Sequence, residues 1–219
     1  MKYNPVGKTD LKVSALSFGA GTAAGLMVNG DLEDQVAAVR AAVEAGVNHF
    51  DTAAFYGFGA SEIYLGQALR AAGAGDVLVT SKVAIGREFL ETRRLRAAVR
   101  QSVEQSLSRL RRERIDILLI HNATHRSHAP YDAGRESQRV ARIMNTYIPA
   151  VTPDDLLGEE GILEEIDLLI REGKIGAFGL SGQDNHPDVI KSLAATGRIA
   201  IFNQTYSLMN PTAGWPQAR

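Results

Sequence analysis

Short apolar runs rich in Val, Ile and Leu alternate along this chain with longer stretches whose apolar positions recur every three or four residues. The first kind suits strands buried on both faces and the second suits amphipathic helices; together they mark β/α units around a parallel sheet. The pattern predicts a first inner strand near Val13 to Phe18, a Gly-rich loop, and a helix from about Leu32 to Glu44, capped by Asp31 and stopped by Gly46. Strand two is expected at Val47 to Phe50 with its helix from about Ser61 to Ala72, and strand three at Val77 to Ser81. The next helix carries Leu95, Val99, Val103, Leu107 and Leu110 on one stripe, a spacing that buries one face, with arginines read as a solvated opposite side.

Strand four is predicted at Ile115 to Ile120, followed by a long polar insertion from Asn122 to about Gly158 and a helix from Ile162 to Arg171, ended by Gly173. Strand five follows at Ile175 to Leu180, a helix at about Pro187 to Ala195, and strand six at Ile199 to Gln204. Six units fall short of the eight that close a parallel barrel. The expected fold class is therefore α/β, a (β/α)8 TIM-barrel type left incomplete, in one domain over residues 1–219 with the C-terminal units absent. Open edges on a buried parallel sheet are a liability, so the chain reads as truncated.

Composition narrows the function. With 24 basic against 25 acidic residues and a net charge of −1, the chain lacks the footprint of a nucleic-acid binder. Hydrophobic residues make up 45%, enough for an ordinary core, and no apolar run suggests a signal peptide or a membrane span. The absence of cysteine removes disulfides and thiol catalysis and fits a reducing cytoplasm. His121, His125 and His128 have neither Cys nor a close carboxylate for company, so no metal site is expected.

Four polar residues stand at or just beyond successive predicted strand ends: Asp51 and Tyr56 in "NHFDTAAFYGFGASE", Lys82 in "VLVTSKV" and His121 in "IDILLIHN". The carboxyl ends of barrel strands open onto one face, so these side chains are expected to converge there. Singly, each has an ordinary structural reading: Asp51 and Thr52 as a turn or cap pair, Lys82 as a solvated strand end, His121 as a core histidine, Tyr56 as an amphipathic rim residue. Their joint placement favours proton chemistry. After the first strand, Gly19, Gly21, Thr22 and Gly25 in "FGAGTAAG" would let backbone approach a ligand, although the spacing is not a Rossmann fingerprint.

The blocks "DTAAFYGFGASE", "SKV", "SVEQSLSRLRRERIDILLIHN", "REGKIGAFGLSG" and "FNQTYSLMNP", in that order, resemble those of the aldo-keto reductase superfamily. The resemblance spans nearly all of the chain outside 122–158. It implies a (β/α)8 barrel that reduces aldehydes, ketones or sugar carbonyls, or runs the reverse reaction, with NADP(H) or alternatively NAD(H). It also implies an N-terminal hairpin on the barrel floor, placed at Lys2 to Val6 and Lys12 to Ala15 around a turn at Gly7 to Asp10.

Carbonyl reduction needs a hydride, which no side chain supplies, and a proton, which the protein must give. The resemblance makes Tyr56 the general acid, Lys82 the ammonium that lowers its pKa, Asp51 the carboxylate that holds Lys82, and His121 a hydrogen-bond donor to the carbonyl oxygen. Gly21, Thr22, Asp51 and Ser181 are expected at the cofactor, with Asn203 preferred over its neighbour Gln204 for the carboxamide because successive strand residues face opposite ways. The insertion is expected to act as a substrate lid. Two other readings remain: a catalytically silent barrel remnant acting by protein association, and a Schiff-base aldolase using Lys82.

Overall fold

In a computed structural model that describes residues 1–128, 148–181 and 186–204, the chain opens with an antiparallel hairpin. Strand β1 (Tyr3–Pro5) pairs with β2 (Lys12–Ser14), with Tyr3 opposite Ser14. Gly7 takes a left-handed conformation in the turn (φ +53°), and a Cβ there would lie 2.5 Å from the Ala200 carbonyl oxygen. Only a glycine lets the hairpin seat so closely.

Six parallel strands form the main sheet in simple sequential order: β3 (Phe18–Gly19), β4 (His49–Asp51), β5 (Leu78–Val83), β6 (Ile115–Ile120), β7 (Ile175–Ser181) and β8 (Ile201–Asn203). Between them run α1 (Leu26–Asn29), α2 (Leu32–Glu44), α3 (Ala60–Ala71), α4 (Arg87–Glu91), α5 (Leu95–Leu110), α6 (Pro153–Leu157), α7 (Leu163–Arg171) and α8 (Pro187–Ala195). A one-turn 3-10 helix, Tyr56–Gly59, leads into α3. The result is a curled half-barrel with helices on its outer face.

Alternation along the strands sorts side chains to two faces. Phe50, Val79, Leu118, Ile120, Phe178 and Leu180 point outward into the large core shared with the helices, where Leu65, Val99 and Leu110 are almost wholly buried. Ile117, Leu119 and Ala177 point inward and meet Val6 of the hairpin. The hairpin thus covers the inner apolar layer, as the resemblance implies.

Several expected boundaries are corrected. The stretch from Lys12 to Ser14 belongs to the hairpin, so the first inner strand is only Phe18–Gly19 rather than Val13 to Phe18. Strand β4 reaches Asp51, one residue further than its apolar run suggests, and β5 carries Lys82 within the ladder opposite Leu119. Strand β8 is shorter than Ile199 to Gln204.

Part of each described end of the insertion is packed, 122–125 and 148–151, while 126–128 are exposed. Asn122 is fully buried; its side chain bonds the Ile85 amide and carbonyl and the Pro149 carbonyl. Thr124 bridges to Val151, and α6 starts with a capping box from Thr152 and Asp155. Residues 129–147, the centre of the expected lid, lie outside the described residues. The arginines of α5 are also less free than read: Arg100 binds Glu165 and Glu172 and Arg96 binds Glu164, tying α5 to α7.

Candidate active site

Three strand ends bring Asp51, Lys82 and His121 to the inner face at the carboxyl mouth, and the 3-10 turn after β4 adds Tyr56. Lys82 is 2% exposed; its Nζ donates to Asp51 Oδ1 at 2.5 Å and to the Thr52 carbonyl at 2.7 Å. A buried ammonium without such partners would be strongly disfavoured. The same nitrogen stands 4.9 Å from the centroid of the Tyr56 ring, within cation–π range.

The Tyr56 and His121 rings meet edge to face, with centroids 5.6 Å apart and planes at 83°. The backbone amide of His121 continues the β5–β6 ladder to the Val83 carbonyl, which fixes where its ring begins. Burial, seconded by the Lys82 charge, lowers the His121 pKa to about 4. The imidazole is therefore neutral near pH 7 and keeps one N–H to donate.

Below this cluster lies a histidine that sequence reasoning passed over. His49 is buried on β4, with Nδ1 2.7 Å from Ser17 Oγ and Nε2 2.7 Å from Thr80 Oγ1. Burial lowers its pKa, while Asp51 pulls upward and Lys82 downward. In the sequence His49 sits next to Phe50 in an ordinary strand run, and only its spacing of two from Asp51 hinted that both share a face.

The residues assigned to a cofactor fall around the same mouth. Gly21 follows β3, and a Cβ built there would lie 3.6 Å from Tyr56 Cε2; Thr22 beside it is exposed. Ser181 is the last residue of β7 and pairs in register with Asn203 of β8, two residues beyond the inward Gly179–Ile201 pair. Parity sets Ser181 and Asn203 side by side on the inner wall. Asn203 is exposed, whereas the Gln204 Nε2 is buried and lacks a hydrogen-bond partner among the described residues. Gly182 and Tyr206 lie outside the described residues.

The remaining histidines are engaged elsewhere. His128 Nε2 lies 2.6 Å from the buried Asp155 carboxylate, which also binds Arg93, and the His125 ring packs edge-on against His186. Among the described residues no group of three His, Cys, Asp or Glu side chains could hold a metal ion, and no helix is long and apolar enough to cross a membrane.

An open parallel β/α barrel gathers Asp51, Tyr56, Lys82 and His121 at its carboxyl mouth, the face on which such folds carry their chemistry. The chain belongs to the Aldo/keto reductase family, whose model matches residues 15–214. Over 124 residues it is 38% identical to an L-galactose dehydrogenase from Arabidopsis thaliana, a match covering 56% of this chain and 38% of that protein. It is 29% identical over 225 residues to an NADH-specific methylglyoxal reductase from Escherichia coli (strain K12), covering 96% of this chain and 60% of the relative. A solved glycerol dehydrogenase from Gluconobacter oxydans superposes with a TM-score of 0.66 at 25% identity, covering 96% of this chain and 57% of that one. The chain thus spans less than two thirds of the length of each of these relatives.

Proposed function

We propose that this chain carries the acid–base site of a nicotinamide-dependent carbonyl reductase, acting on a small aldehyde, ketone or sugar. The observation that carries the reading is the Lys82 ammonium, held between Asp51 and the Thr52 carbonyl and set 4.9 Å from the Tyr56 ring. Tyr56 would give its proton to the carbonyl oxygen as that oxygen gains charge, and the neighbouring cation would offset the charge left on the phenolate. Neutral His121 would donate its N–H to the same oxygen and orient the substrate. In the oxidative direction Tyr56 would take the proton back.

The donor set fits a nicotinamide. Ser181 and Asn203, paired at the inner mouth, offer a hydroxyl and an amide to a carboxamide. Gly19 has nothing within 4 Å of an added Cβ, so backbone on that side is open to close approach. NADP(H) or NAD(H) would supply the hydride when bound. We favour NADPH; one relative is named for NADH specificity, so the choice is tested with both. A cytoplasmic setting suits the cysteine-free chain.

A Schiff-base role for Lys82 is less well supported, since its nitrogen spends donors on two acceptors and stands beside a phenol that such chemistry does not need. The test is reduction of a panel of small aldehydes, ketones and sugars with NADPH and NADH, alongside fluorescence titration of both cofactors. Turnover that depends on a reduced nicotinamide supports the proposal; absence of both binding and turnover refutes it.

A further inference from the structure

Behind the acid–base cluster, on the outer face of the sheet, lies a second polar group that the proposed chemistry does not use. Glu62, in the first turn of α3, is fully buried among apolar neighbours. One carboxylate oxygen accepts the Ser81 hydroxyl at 2.5 Å, and the other accepts Arg109 Nε from α5, also at 2.5 Å. Arg109 further donates to Ser106 on its own helix. A buried ion pair of this kind is poor value for stability alone, because desolvation offsets much of the attraction.

Its attachments explain where it acts. Ser81 immediately precedes Lys82 on β5, so Glu62 pins the strand at the residue before the ammonium. The aliphatic stem of Arg109 underlies Gly59, where a Cβ would come within 2.8 Å of its Cδ; Gly59 has a φ of +95° and closes the turn that begins at Tyr56. One carboxylate–guanidinium pair therefore lies beneath both the turn bearing the phenol and the strand bearing the ammonium.

Ser61 extends the connection. Its hydroxyl donates to the Ala20 carbonyl at 2.7 Å, and because that proton is spent, Thr52 Oγ1 at 2.8 Å must be the donor to Ser61 Oγ. Thr52 is the residue whose carbonyl receives Lys82, and Ala20 precedes Gly21, which faces the Tyr56 ring. The first turn of α3 thus bonds Thr52 and Ser81, the residues next to Asp51 and Lys82, and the carbonyl of Ala20, which precedes Gly21.

We propose that Glu62, with Ser61 beside it and Arg109 behind it, is a positioning residue that sets the separation between the Tyr56 ring and the Lys82 ammonium. The proposal rests on the reductase reading above. It requires no contact between Glu62 and substrate or cofactor, and it predicts that loosening the network misplaces the phenol and ammonium while leaving the binding surfaces intact.

Ser81→Ala cuts the link to β5 while keeping the Glu62–Arg109 pair, and Ser61→Ala cuts the link to Ala20 and Thr52. Glu62→Gln, which retains an acceptor for Ser81, is the third variant if it folds. For Ser81→Ala, kcat is expected to fall about tenfold to a hundredfold while KM for the carbonyl and Kd for the nicotinamide stay within about twofold; Ser61→Ala, which also releases the carbonyl before Gly21, is expected to lower kcat as much with KM for the carbonyl within about twofold.

A second readout is independent of turnover: the Lys82 ammonium signal in 1H–15N spectra of lysine-labelled protein, identified with Lys82→Met, should shift or broaden in both variants. An unmoved Lys82 signal with retained kcat overturns the proposal, as does a loss of activity that tracks only a lower Tm with the signal unchanged. If the parent chain reduces no carbonyl, the reductase reading fails separately and the Lys82 signal alone decides the positioning role.

Discussion

The Lys82 ammonium and the Asp51 carboxylate meet at 2.5 Å, with side-chain exposures of 2% and 22%. Removing one charge strands the other in a poorly solvated site. Asp51→Asn should therefore lower stability by about 3 kcal/mol, or roughly 10 °C in Tm for a chain of this size. The double variant Asp51→Asn, Lys82→Met should regain most of that stability and none of the catalysis. Thermal melts of the single and double variants check this; equal Tm values for the parent and Asp51→Asn would contradict it.

Buried His49 and partly buried His121 give the protein a stability that depends on pH. His121 has its folded pKa lowered to about 4 from the usual 6.5, and His49 is lowered as well. For a depressed histidine the folded state binds fewer protons than the unfolded chain, so its contribution is intact above pH 6.5 and is lost as pH falls from there towards 4. The His121 share is at most about 3 kcal/mol. Urea midpoints measured from pH 7.5 to 4.5 should fall, and those of His121→Asn should fall less steeply.

Strands β7 and β8 approach each other through Gly179, where a Cβ would stand 2.3 Å from the Ile201 carbonyl oxygen and 2.8 Å from Leu119 Cδ2. Backbone cannot yield at that distance without breaking the ladder. Gly179→Ala should cost about 1–3 kcal/mol. The disturbance should centre on Ser181 and Asn203, which hydrogen exchange of the β7–β8 amides would report.

Those two residues also carry a binding prediction. Ser181→Ala and Asn203→Ala should each weaken nicotinamide binding by about threefold to tenfold, the loss of one hydrogen bond, with Tm nearly unchanged. Gly21→Ala should likewise spare the fold, since its Cβ meets Tyr56 only at ordinary contact distance, yet raise the cofactor Kd. Fluorescence titration separates these outcomes from a general loss of structure.

Much of this arrangement was legible in the sequence because the signals are local. The stripe from Leu95 to Leu110 is buried as its spacing required, and the runs at Ile115 and Ile175 are strands buried on both faces. Asp51, Tyr56, Lys82 and His121 converge because parallel strands of a barrel leave no other place for their ends. What the sequence hid depends on distant partners. By its apolar pattern Val13 to Phe18 reads as one strand, while the resemblance places Lys12 to Ala15 in the hairpin; the hairpin pairing and the Ser17–His49 bond show where the segment divides.

Nothing in the sequence sets Glu62 apart from any acid near a helix start, since Ser81 and Arg109 lie 19 and 47 residues away. Asn122 looked like loop polarity until Ile85 and Pro149 closed around it. Polar residues buried by tertiary contact leave no periodicity to read.

The central claim is that Tyr56 delivers the proton, and Tyr56→Phe removes the hydroxyl while keeping the ring between His121 and Lys82. With a carbonyl substrate reduced by the parent chain, kcat should fall by about a hundredfold to ten-thousandfold while the nicotinamide Kd stays the same. Turnover by Tyr56→Phe at the parent rate would contradict the account.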